Sequence, residues 1–179
     1  MITTIMIAAF VVAVSLVLIR AALGRHLPVP SLQALEGHTQ PVDVAAFRNL
    51  IDPAEEDYLR ERLSAREFRA IQRARLRATL EYVRCTACNA AILLRLGEAS
   101  RRDNNPEVAA AARALVNNAL RLRVSAMLAI VVLYGRVVMP GSRVSVGRVT
   151  DAYENLIQGL VRLARLQDPA HASRVSAAI

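Results

Sequence analysis

Residues 64–97 read SAREFRAIQRARLRATLEYVRCTACNAAILLRLG, with no proline and no glycine before the last position. Ser64 and Glu67 stand in the capping-box pattern, in which the Ser hydroxyl takes an unpaired amide and the Glu carboxylate reaches back to the Ser N–H. A helix is therefore expected from Ala65 to Leu96, with Gly97 as its stop. Projected at about 100° per residue, Leu76, Leu80, Val83, Ala87, Ala90 and Leu94 fall in one narrow stripe. Phe68, Ile71, Ala78, Tyr82, Ile92, Leu93 and Leu96 form a second apolar sector. A helix with two apolar sides needs neighbours on both, which makes this the central helix of an antiparallel, all-α bundle.

The polar remainder of that helix is basic. Arg66, Arg73, Arg77 and Arg84 recur along one edge, continued by Arg95, with Arg69 at the margin. Guanidinium groups in a row suit phosphates, which they grip bidentately. Acidic residues compete for them: residues 52–84 hold eight Arg against seven Asp and Glu, so internal pairing and a solvated edge explain most of the strip. Nucleic acid is further disfavoured by the lack of interleaved aromatics. Cys85 and Cys88 have the spacing of half a zinc site, yet no second pair and no nearby His completes it. A redox motif of this form opens a helix after a strand, whereas this pair lies mid-helix. Two small buried thiols are expected, with no cofactor.

Downstream, Asn105-Pro106-Glu107 starts a further helix, expected to run to Met139 before Pro140-Gly141. Val108, Leu115, Leu122 and Ala129 recur every seven residues in it, as do Ala112, Ala119, Ala126 and Leu133. Alternating large and small residues suit close antiparallel packing on residues 65–96, giving a long helical hairpin. The most apolar part, from Val124 to Tyr134, falls short of the roughly 17 residues a membrane span requires. Core, partner and membrane surface compete for it. From Val149 onward, Val149, Tyr153, Leu156, Leu160 and Leu163 mark an amphipathic helix that ends before Asp168-Pro169. Leu156, Leu160 and Leu163 are a candidate partner-contact face, and residues 169–179 form a tail.

Upstream, Asp52-Pro53-Ala54-Glu55 opens a helix with a cap, a Pro at the first position and an acidic first turn; a shorter helix covers residues 44–50. Residues 24–43 collect Pro28, Pro30, Gly37 and Pro41 and form a linker in which His26 and His38 lack metal-ligand companions. Before it, residues 2–19 carry no charge and only Thr3, Thr4 and Ser15 as polar interruptions. At about 1.5 Å per residue, residues 1–23 reach the thickness of a bilayer core, and no basic start or small-residue cleavage site marks a signal peptide. They are expected to be an uncleaved transmembrane anchor. Arg20 and Arg25 follow the apolar run, which puts the N-terminus outside and residues 44–168, the bundle, in the cytoplasm beneath the inner (plasma) membrane.

The net charge is +8, all 23 basic residues are Arg, and Trp is absent. An Ala-rich chain with Arg in place of Lys is the signature of a GC-rich genome, and its basic surplus fits an anionic inner leaflet. Two cysteines make no disulfide framework and agree with a reducing compartment. No Gly-rich phosphate loop, G-x-S-x-G, H-E-x-x-H or paired Glu-x-x-His occurs, and no acid–base centre emerges, which points away from an enzyme. The expected role is a membrane-anchored helical structural or interaction subunit, in a membrane complex or a homo-oligomer. The alternative is a bundle that binds an anionic lipid or acidic ligand through Arg66, Arg73, Arg77 and Arg84.

Overall fold

The computed structural model describes residues 38–138 and 147–168, so the expected anchor, most of the linker and the tail lie outside the described residues. Five helices follow one another: α1 (Val44–Leu50), α2 (Pro53–Arg62), α3 (Ala65–Ser100), α4 (Pro106–Val138) and α5 (Gly147–Gln167). No strand occurs among the described residues, and the all-α expectation holds.

The helix starts follow local chemistry. Asp43 accepts from the Ala46 amide at 2.9 Å and Asp52 from the Ala54 amide at 2.9 Å. At the head of α3 the capping box is closed both ways, Glu67 N–H to Ser64 Oγ at 3.4 Å and Ser64 N–H to Glu67 Oε2 at 3.1 Å. Asn105 takes the Glu107 amide at 2.9 Å and begins α4. Each cap satisfies an amide that the helix itself leaves unpaired.

α3, α4 and α5 run up, down and up. Gly97 of α3 lies against Ala112 and Val116 of α4, whereas Arg84 reaches Tyr134 near the far end of α4. Asn89 meets Tyr153 early in α5, and Ser100 meets Gln167 at its end. Val108, Ala112, Leu115, Ala119, Leu122, Ala126, Ala129 and Leu133 are all buried, as the seven-residue spacing requires. Val149, Tyr153, Leu156, Leu160 and Leu163 close the core from α5.

Two details of α3 differ from the sequence reading. The buried face holds Thr79, Val83, Thr86, Asn89, Ala90, Leu93, Leu96, Gly97 and Ser100, while Leu76, Leu80, Ala87 and Leu94 are only partly covered. It is turned by roughly a quarter of the circumference at about 100° per residue from the expected stripe. Hydroxyls make this possible: Thr79 Oγ1 donates to the Arg75 carbonyl at 2.8 Å and Thr86 Oγ1 to the Val83 carbonyl at 2.9 Å, so both pack as small satisfied groups. Second, Gly97 does not stop the helix, which continues to Ser100. A Cβ there would lie 2.8 Å from Val116 Cγ2 and 3.2 Å from the Ala112 carbonyl. Gly97 permits close approach of α4 rather than a left-handed cap.

α1 and α2 brace one side. Phe47 is buried and stacks on Tyr82 with centroids 5.1 Å apart. Arg75, its side chain 12% exposed, donates to the Leu50 carbonyl at 2.9 Å and pairs with Glu55 at 3.3 Å, fixing the corner between the two short helices to α3. α2 itself buries no residue.

Candidate interaction surfaces

The arginine edge is brought together but not neutralised. Arg66, Arg69, Arg73 and Arg77 are exposed, and none makes an ion pair or a side-chain hydrogen bond among the described residues. Arg84 differs, pairing with Glu81 at 2.9 Å while its other amine donates to Tyr134 Oη at 3.3 Å. Several of the nearby carboxylates are engaged elsewhere. Glu67 is held by its cap, where the Ser64 hydroxyl and amide lower its pKa. Glu98 pairs with Arg101, Glu56 with Arg60 and Glu55 with Arg75.

One of the two cysteines, Cys85, takes part in a structural clamp. Asn89, fully buried, accepts the Gln40 amide at 3.0 Å and donates to the Gln40 carbonyl at 2.7 Å and to Tyr153 Oη at 3.0 Å. Cys85 Sγ donates to Gln40 Oε1 at 2.9 Å. Desolvation, then Cys88 and Glu81, push the Cys85 thiol above its ordinary value, opposite to the shift that makes a reactive thiolate. Cys88 is exposed and Cys85 only partly covered, which corrects the expectation of two buried thiols: Cys88 lies on a side of α3 that no described neighbour covers. Among the described residues no cluster of three or more His, Cys, Asp or Glu is placed to hold a metal ion.

The proposed partner face on α5 is not on the surface. Leu156, Leu160 and Leu163 are each 0% exposed and point into the bundle, because their spacing that marked an apolar face is the spacing by which α5 packs on α4. The outer side of α5 instead carries Ile157, Val161 and Leu166, which with the stems of Arg162 and Arg165 line an open depression of about 590 Å³. Their signal in the sequence was two β-branched residues and a Leu lying off the main stripe.

Residues 124–134 are two-sided. Ala126, Ala129 and Leu133 are buried, while Val124 is 58%, Leu128 60% and Tyr134 51% exposed. With Leu120, 47% exposed, Val124 and Leu128 recur every fourth residue and form an apolar ridge on the outside of α4. Pro106–Gly135 is long and apolar enough to cross a membrane, with hydropathy 1.5, and 33% of its most apolar window is buried in the bundle. Comparison of the chain with protein-family models, with curated proteins and with solved structures finds no match.

Proposed function

We propose that this chain is a membrane-anchored helical interaction subunit, an accessory component of a membrane complex or of a homo-oligomer. It is held by residues 1–23, with the N-terminus outside and the bundle in the cytoplasm. The observation that carries the proposal is apolar side chains on the outside of the described bundle, namely the ridge of α4 and the Ile157, Val161 and Leu166 surface of α5. Side chains of this class cost free energy in water and are retained on surfaces that are covered in use. A photo-crosslinker at position 161 in intact membranes should give a discrete protein adduct, from a partner subunit or a second copy. A reporter active only in the cytoplasm should work when fused after Ile179. Absence of any adduct from position 161, with the protein present in membranes, removes the protein-contact role.

A specific observation favours a second reading, in which the bundle binds an anionic lipid or other acidic ligand through the Arg edge. Arg66, Arg73 and Arg77 present charges that no described carboxylate answers. Phosphate is the acceptor that a row of free guanidinium groups fits best.

A further inference from the structure

We infer that the α4 ridge and the Arg edge of α3 form one seat, and that its occupant is the anionic bilayer surface, leaving the outer side of α5 to a protein partner. The inference rests on the anchored topology and deepens the lipid reading of the Arg edge.

Three observations carry it. The surfaces adjoin, because Arg84 at the end of the strip donates at 3.3 Å to Tyr134, six residues past Leu128 on α4. On the helical projection Arg66, Arg69, Arg73 and Arg77 share one narrow arc with Arg84 and extend over about 16 Å of axis, at about 1.5 Å per residue. The charges around the ridge are of one sign: Arg113 and Arg121 are exposed on α4, whose only carboxylate is Glu107 in the first turn. A second copy of the same face would bring these arginines against one another, a repulsion that disfavours self-association there. Finally, an apolar ridge bordered by guanidinium groups is the pattern of a helix lying in the plane of a membrane interface, with apolar side chains below the phosphates and cations among them. A free phosphate would use the arginines and leave Leu120, Val124 and Leu128 uncovered, whereas the bilayer covers both. It is also close at hand, since about 20 residues separate the proposed anchor from the bundle.

The chain contains no Trp, so a single indole reports one position. Val124→Trp, Leu128→Trp and, as a control on the outer side of α5, Gln158→Trp are placed in the full chain and reconstituted into vesicles. These are made of phosphatidylglycerol or of phosphatidylcholine, each with brominated acyl chains. After an alkaline carbonate wash, the indoles at 124 and 128 should be quenched in phosphatidylglycerol and that at 158 should not. The quenching should fade as salt screens the surface, and should be lost in phosphatidylcholine and in the Arg73→Gln, Arg77→Gln background. Unquenched indoles at 124 and 128, in protein that survives the wash, overturn the seat and leave the anchor standing. A blue-shifted but unquenched indole means that protein covers the ridge, which also overturns it. Quenching indifferent to lipid charge removes the arginines from the seat and overturns the inference as stated. Protein lost in the wash overturns the anchor and the inference together.

Discussion

The two halves of α3 both carry large apolar residues and live in different surroundings. From Thr79 to Ser100 the helix buries nine residues against α4, α5 and the segment around Gln40; from Ala65 to Ala78 it buries none. Apolar residues occur in both halves, Leu93 and Leu96 in one, Phe68 and Ile71 in the other. The difference lies in what is opposite them. α4 and α5 pack on the second half, whereas the first meets α2, which buries nothing of its own and offers cation–aromatic contacts such as Arg60 over Phe68 at 5.3 Å. Neighbours, together with five arginines crowded into residues 65–78, make one half a core element and leave the other a basic outrigger.

The sharpest way to break this comparison is to truncate one apolar residue in each half. Leu93→Ala, at a position 0% exposed, should cost about 3–4 kcal/mol in denaturant unfolding of the full chain in mild detergent. Ile71→Ala, at a position 38% exposed, should cost under about 1 kcal/mol. Equal costs would mean that both halves are core. A slightly smaller effect is expected from alkali. Burial raises the Tyr153 pKa to about 12, so the unfolded chain ionises first, near the ordinary value of about 10. The stability this contributes is complete below pH 10 and lost as pH rises toward 12, up to about 3 kcal/mol at roughly 1.4 kcal/mol per unit. Tyr153→Phe should flatten the profile in that window, and an unchanged slope would place the titration elsewhere.

Glycines sharpen the contrast further. Gly97→Ala forces Val116 and the α4 backbone to move and should cost about 1–2 kcal/mol net. Gly159→Ala, whose new methyl would meet nothing closer than 3.4 Å, should instead gain up to about 1 kcal/mol from helix propensity. Thermal melts of the two variants should move in opposite directions. The smallest effect on stability belongs to the outrigger. Changing Arg73 and Arg77 together to Gln should alter unfolding by less than about 1 kcal/mol, because exposed charges without partners contribute little.

Local chemistry was legible in the sequence, and long-range choices less so. The caps at Asp52, Ser64 and Asn105 are decided within three or four residues, and the seven-residue spacing of α4 marked its buried face. The face of α3 was misplaced because hydropathy counts Thr79, Thr86, Asn89 and Ser100 as polar, although the helix backbone and Gln40 satisfy several of them. Gly97 carries the same letter whether it ends a helix or admits a neighbour. In α5, one set of leucines was read both as core and as partner face; an amphipathic stripe shows that something covers it without showing what. Pairing along the Arg strip was anticipated from charge totals, yet ion pairs form by geometry: Glu81 does reach Arg84, while caps and other arginines hold Asp52, Glu55, Glu56 and Glu67.

The clamp on Gln40 has a mechanical meaning. Chain N-terminal to the bundle enters α3 near its middle, through hydrogen bonds from Asn89 and Cys85 that all meet one residue. A pull on that chain loads these bonds together, in parallel, and passes through Asn89 to Tyr153 on α5. Bonds that share a load in this way resist as a unit, whereas bonds along a helix end fail one after another. Tension on that chain would therefore be delivered to the α3–α5 interior as a sideways tug, and the helix ends would be spared.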